Sequence, residues 1–232
     1  MTPHPPSSDP SPVVVLENAQ HRYGRHQVLQ GIDLTVSPGE CAVLYGANGS
    51  GKSTLLALLS TRYTLREGRY LLDGIDVRQE PHEARARLLF IGHHTHLYGH
   101  LTPLENLQFF TSLRTIPTTD QQLRHVINTV GLNKAVDKPV QWFSAGMRKR
   151  LALARLLLAH PKLLLLDEPY SALDTQGVGW LNAMLTTFLH NGGSLIMASH
   201  DPERVAALPH RPWQLARGRL HPISNAQESE AC

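Results

Sequence analysis

The sequence predicts an α/β fold with a mostly parallel sheet at its core, an antiparallel β layer beside that sheet, and a helical subdomain. Three observations point there. The short apolar runs CAVLY (residues 41–45), LLLLD (163–167) and SLIMA (194–198) each stop abruptly at polar or glycine-rich residues, the pattern of strands buried on both faces of a parallel sheet. Near the front, VVVLENAQ (13–20), GIDLTV (31–36) and RYLLDGIDV (69–77) are short strand patterns with turn residues such as Asp73-Gly74 between them, which suits antiparallel pairing. Between Leu104 and His160 the apolar residues recur instead at three- and four-residue intervals, a helical period.

The 232 residues, 41% hydrophobic and 18% charged, suit one globular domain with a single large core. Its expected extent is 13–222, with the helical subdomain at about 95–160. Residues 1–12, MTPHPPSSDPSP, are read as a disordered Pro/Ser-rich tail, being neither a secretory signal nor an amphipathic targeting helix, and 223–232 as a flexible tail. Lys and Arg number 22 against 19 Asp and Glu, too small and scattered an excess to mark a nucleic-acid partner. The densest basic run, Arg148-Lys149-Arg150, is expected on a solvated helix face. No segment has the roughly 20 uninterrupted apolar residues that cross a bilayer. The two cysteines, Cys41 in an apolar run and Cys232 at the last position, fit a reducing cytoplasm, and Cys232 does not stand where a prenylation box would put it.

In chain order, the first run with chemistry behind it is CAVLY. It leads into Gly46, Ala47, Asn48, Gly49, Ser50, Gly51, Lys52 and Ser53, which match the phosphate-binding loop pattern between a strand and a helix beginning near Ser53. Glycines at 46, 49 and 51 let the backbone curl its N–H groups onto phosphate oxygens, and the helix N-terminus adds partial positive charge. Lys52 then reaches the β and γ phosphates, Ser53 ligates Mg²⁺, and Thr54 donates to the α phosphate. The LLLLD run ends in Asp167 and Glu168, two adjacent acids whose repulsion a cation relieves. Asp167 is placed to hold the metal through water and Glu168 to polarise the attacking water. Ser144 precedes a long amphipathic stretch as a natural N-cap, leaving N–H groups directed outward.

The stretch WFSAGM, before the LLLLD run, is similar to the signature sequence of ATP-binding cassette ATPases. The resemblance covers roughly residues 13–220 and implies a P-loop NTPase fold of the ABC ATPase type. It also implies roles for particular residues. Ser144 and Gly146 would touch the γ phosphate of ATP, Tyr23 would stack on adenine, His200 would sense the γ phosphate, and SALD (171–174) would be the loop coupling two sites. Because a phosphate loop and a signature helix in different lobes of one chain cannot reach the same γ phosphate, the resemblance implies a head-to-tail homodimer with ATP sandwiched between subunits.

Two departures from the family pattern stand out. Of the usual LSGGQ, Ala145 replaces a glycine and Met147 the glutamine, so any hydrogen bond from the fifth position is lost, while Ser144 and Gly146 remain. The family also carries a glutamine ahead of an L-T-x-x-E-N segment, here residues 101–106, and this chain has GHHTHLYGH (92–100) instead. The GH-then-Q wording of one subfamily points to His94 as its replacement, taken as the catalytic candidate, while the commoner spacing points to His93. An imidazole can accept from or donate to a water as a carboxamide does, with pH dependence added. The four histidines lack the companion Cys or carboxylate spacing of a structural zinc site and are read as a sensor and coupling loop.

The loop wording together with SAGMRKRLALARLLL is similar to the ATP-binding subunits of the haem exporters of cytochrome c maturation. That subfamily implies an ATP-hydrolysing subunit with ATP and Mg²⁺ as cofactors, docked peripherally on integral membrane permease subunits at the cytoplasmic face of the inner membrane, with no direct haem binding. The alternatives are an exporter ATPase for another cargo such as a drug, lipid or polysaccharide, a soluble cassette protein acting on nucleic acid or ribosomes, and a structural subunit that does not hydrolyse.

Overall fold

The computed structural model describes residues 11–223; the expected tails, with Cys232, lie almost wholly outside the described residues. The chain runs through β1 (Val14–Tyr23), β2 (His26–Val36), β3 (Cys41–Tyr45), α1 (Lys52–Leu59), β4 (Glu67–Leu72), β5 (Ile75–Asp76), α2 (Pro81–Arg87) and β6 (Leu88–Ile91). It continues through α3 (Pro103–Leu113), α4 (Asp120–Thr129), α5 (Ala145–Ala159), β7 (Leu163–Asp167), α6 (Thr175–His190), β8 (Ser194–Ala198), α7 (Pro202–Val205), β9 (Arg211–Ala216) and β10 (Arg219–Pro222).

Two sheets form, as the pattern of runs predicts. The antiparallel layer has the order β2-β1-β4-β5, and Asp73 and Gly74, with φ of 51° and 79°, make the turn from β4 to β5. Positive φ at both central residues is the geometry of a hairpin turn whose twist matches the strands. The core sheet has the order β10-β9-β3-β8-β7-β6, parallel from β9 to β6 and closed by antiparallel β10.

Alternation along the central strands explains why they read as unbroken apolar runs. Leu163 and Leu165 of β7 pack on one face with α1 and the antiparallel layer, and Leu164 and Leu166 on the other with α5 and α6. Ala42 and Leu44 against Cys41 and Val43, and Ile196 and Ala198 against Leu195 and Met197, divide in the same way. Fully burying one such leucine stabilises the fold by about 2 kcal/mol.

The helices α3, α4 and α5 have an apolar interior of their own, with Leu107, Leu123, Ile127, Leu151, Ala154 and Leu158 at its centre. Capping boxes start the first two: Thr102 with Glu105, and Thr119 with Gln122, each satisfying N–H groups that an uncapped helix leaves free. Phe110 and Trp180 pack against both this interior and the sheet's α5–α6 side. Arginine guanidinium groups lie over both rings, Arg114 and Arg155 on Phe110 and Arg150 on Trp180.

One expectation is overturned. Arg148-Lys149-Arg150 does not form a solvated face: Lys149 is 3% exposed, Arg148 donates to the Phe143 carbonyl, and Arg150 covers Trp180. Three consecutive helical residues span about 200° of the helix, so they cannot share one environment, and the middle one points into the protein.

Candidate functional site

Strand register assembles the site. Leu44 of β3 pairs with Ala198 of β8, and Ala198 pairs with Asp167 of β7, so one row crosses the sheet at the C-terminal ends of three strands. The chain leaves that row as the glycine loop, as Ser199-His200, and as Glu168. On the far side, Ile91 of β6 pairs with Leu166, which brings the segment beginning Gly92-His93 out at the same level. Ends of parallel strands are where open α/β sheets hold ligands.

In the glycine loop, Gly46, Gly49 and Gly51 have φ of 152°, 80° and 107°. A Cβ on Gly46 would lie 2.5 Å from the Leu215 carbonyl oxygen and 2.8 Å from Ser50 Oγ. Only a glycine lets the loop lie that close to β9. Lys52 is 8% exposed, and its Nζ donates to the carbonyls of Gly46 (2.6 Å) and Ala47 (3.1 Å). Ser50 Oγ is buried inside the loop and, among the described residues, has no hydrogen-bond partner, an atom that an enclosed anion would satisfy.

Asn48, Gly49, Gly51, Lys52, Ser53 and Thr54 line a groove of about 510 Å³ together with Asp167, Glu168 and His93. Tyr23 stands at its rim with His26 and Val28. The Tyr23 ring is half exposed, and its hydroxyl is 3.4 Å from Thr54 Oγ1. His21 and Tyr63 pack edge-on to it, with centroids 4.9 and 5.8 Å away. Sequence reasoning did not find these two supporting rings. His21 is two residues before Tyr23, on the same side of β1, and that period of two was the available signal.

Glu168 has a left-handed backbone, φ 48°. Its N–H donates to the Ala198 carbonyl (3.0 Å). Its own carbonyl accepts from Ser171 Oγ (2.8 Å), Ser171 N–H (3.2 Å) and Lys149 Nζ (3.3 Å). The carboxylate oxygen Oε2 is 2.7 Å from His200 Nδ1. The Glu168 side chain is largely shielded at 23% exposure, while that of His200 is 70% exposed, so the imidazole covers the acid from the solvent side.

The histidine segment divides. His93 lines the groove and His94 does not; its ring lies 5.4 Å from that of His93. Of the two candidates it is therefore His93, the second residue beyond the end of β6 at Ile91, that shares the groove with Asp167. Further along, Arg155 of α5 donates to the carbonyls of Thr95 (3.1 Å) and His96 (3.0 Å). The His96 pKa is lowered from 6.5 by burial first, then by the charges of Arg62, His94 and Arg155.

Ser144 caps α5, its Oγ accepting from the Met147 N–H (3.2 Å), but neither Ser144 nor Gly146 lines this groove. A Cβ on Gly146 would lie 3.1 Å from the Ala172 carbonyl, so the helix start packs on the 171–174 loop. Asp174 of that loop caps α6 through the Gly177 N–H (2.8 Å). The chemistry available at the groove is that of a triphosphate site: a curled ring of N–H donors, a lysine, a serine hydroxyl and a carboxylate suited to a hard cation, and a second carboxylate backed by an imidazole. Among the described residues, no helix is long and apolar enough to cross a membrane.

Comparison with known proteins agrees with that reading. Residues 29–171 match the family described as ABC transporter. The "Cytochrome c biogenesis ATP-binding export protein CcmA" of Vibrio vulnificus (strain YJ016) is 35% identical over 174 residues, 75% of this chain and 85% of that protein. The protein of the same name from Pseudomonas savastanoi pv. phaseolicola (strain 1448A / Race 6) is 39% identical over 179 residues, 77% and 83%. Among solved structures, one titled "Structure of ATP binding subunit of ABC transporter" superposes with a TM-score of 0.84 over 94% of this chain and 92% of the other. At 21% identity that likeness speaks for the fold alone.

Proposed function

Since the chain belongs to the ABC transporter family and is an ATP-binding subunit with ATPase activity, we propose that it powers an exporter of the cytochrome c biogenesis type, with haem as the cargo that its permease handles. In this reading two copies pair head to tail, each holding ATP in its groove, and the pair docks on membrane permease subunits at the cytoplasmic face of the inner membrane. The observation that carries the reading is the groove itself, where Lys52 and its loop face Asp167 and Glu168 across one row of strand ends.

The loop N–H groups and Lys52 bind and orient the triphosphate, Lys52 exchanging its contacts with the Gly46 and Ala47 carbonyls for phosphate oxygens. Tyr23 stacks on the adenine. Ser53 and Asp167 are oxygen donors that fit Mg²⁺, which when bound neutralises charge on the triphosphate. Glu168 accepts the proton of the attacking water, and His200 Nδ1, 2.7 Å from Oε2, fixes which way the carboxylate faces. His93 stands where it can hydrogen-bond that water. Ser144 and Gly146, away from their own groove, are free to face the triphosphate held by the other copy, so closure of the pair completes each site.

The test is Glu168→Gln. Hydrolysis should fall roughly 10²- to 10⁴-fold, the scale of a positioned base, while nucleotide binding stays intact; hydrolysis at the parental rate rejects the assignment. Copurification with a haem-exporting permease from native membranes supports the cargo, and recovery with a drug, lipid or polysaccharide permease replaces it.

A further inference from the structure

Lys149 is an anomaly that the groove chemistry does not use. It lies on α5, five residues after the Ser144 cap, about 7.5 Å along the axis, and is 3% exposed. Among the described residues no carboxylate lies in ion-pair range of its amine, whose single hydrogen bond goes to the Glu168 carbonyl at 3.3 Å. Burying an ammonium is costly unless it is well bonded, and its pKa is accordingly lowered, by burial first, against the opposing pull of the Asp167 and Glu168 charges. An apolar side chain would be the stable choice at so enclosed a position. What the ammonium gains is the peptide that it holds.

That peptide needs holding. A non-glycine residue in the left-handed region persists only where its surroundings fix it, and Glu168, at φ 48°, is fixed by the Ala198 carbonyl on its N–H side and by Ser171 and Lys149 on its carbonyl side. Rotation of this peptide would swing the carboxylate away from His200. Lys149 is the one member of the set that comes from the helical subdomain.

We propose that Lys149 is a positioning residue for Glu168: by gripping the Glu168 carbonyl it sets the carboxylate against His200 and ties it to the helix whose first turn carries Ser144 and Gly146. The inference rests on the reading of Glu168 as the base. It makes one helix the bearer of two duties, its first turn facing the other copy's nucleotide and its second turn steering the acid of its own groove. A displacement of the helix start on closure therefore reaches the base directly.

The experiment compares full-length Lys149→Met, which keeps the length and removes the donor, with Lys149→Gln, which keeps an N–H donor. Each is made in the parental and the Glu168→Gln backgrounds. We expect Lys149→Met to lower kcat roughly tenfold or more, as loss of a hydrogen bond from a charged group near a reacting centre does. KM and the affinity for a fluorescent ATP analogue should stay within about twofold, the thermal midpoint should not fall, and Lys149→Gln should recover part of kcat. In the Glu168→Gln background Lys149→Met should cause no further loss, because both act through one group. Parental kcat in Lys149→Met, or an equal loss in both backgrounds, overturns the proposal and leaves Glu168 as the base. Parental hydrolysis by Glu168→Gln alone overturns the base assignment, and this inference with it.

Discussion

Replacing Gly46 by alanine tests how closely the glycine loop must lie against β9. The added Cβ would stand 2.5 Å from the Leu215 carbonyl oxygen and 2.8 Å from Ser50 Oγ, where a carbon and a carbonyl oxygen normally keep about 3.3 Å. Ser50 can rotate, but the Leu215 oxygen belongs to the backbone of β9, so the loop must retreat by most of an ångström. An alanine at φ 152° also carries backbone strain, and together these amount to about 1–3 kcal/mol. In the free protein the loop relieves the strain by moving outward. Binding a triphosphate requires it back in place, with Lys52 released from the Gly46 carbonyl. The strain therefore falls on binding, and 1–3 kcal/mol corresponds to about 5- to 150-fold weaker affinity. Titration with a fluorescent ATP analogue reads this directly, and a thermal melt of the free protein shows how much strain remained there. Parental affinity with a parental melting midpoint would refute the close-packing argument.

Three further outcomes follow from other parts of the structure. Gly179 lies inside α6 with nothing within 4 Å of an added Cβ, so Gly179→Ala should raise stability by roughly 0.5–1 kcal/mol, and a lower urea midpoint would contradict it. His93→Ala should slow hydrolysis more than His94→Ala does, since only His93 lines the groove; the reverse order in a phosphate-release assay would restore the subfamily spacing. Burial, with help from the Arg66 charge, lowers the His21 pKa from 6.5, so the folded state binds fewer protons than the unfolded one as pH drops. The stability that this brings is fully present above pH 6.5 and fades as pH falls towards the folded value. His21→Phe should flatten the urea midpoint between pH 7.5 and 5.5, and parallel curves would reject the cause.

The parts of the fold legible from sequence are those where environment and pattern coincide. The CAVLY, LLLLD and SLIMA strands are apolar throughout because both their faces are covered, and the Asp73-Gly74 turn announces itself because few residue pairs tolerate two positive φ values. Strand β9 was invisible for the converse reason. Its burial alternates, with Trp213 and Leu215 buried and Pro212, Gln214 and Ala216 less so, and one of those is a proline. The glycine loop and the acid pair were legible because their chemistry needs fixed residue types at fixed spacing. Which of His93 and His94 reaches the groove was not, since that depends on where β6 stops, and the end of β6 is set by pairing to Leu166 rather than by any residue in the histidine run. Lys149 hid inside a basic triplet, where only the tertiary packing of α5 reveals which of three cations points inward.

The separate interior of α3, α4 and α5 carries a mechanical consequence. Because those helices cover one another's apolar faces, the lobe can swing as a unit without exposing its own centre to water. Its seam with the sheet mixes two kinds of contact: Phe110 and Trp180 under flat guanidinium groups, which tolerate sliding, and Ala152, Leu153 and Leu156 of α5 interlocked with Leu164 and Leu166 of β7, which resist it. Any swing of the lobe thus slides at the aromatic contacts and is held back at the aliphatic ones.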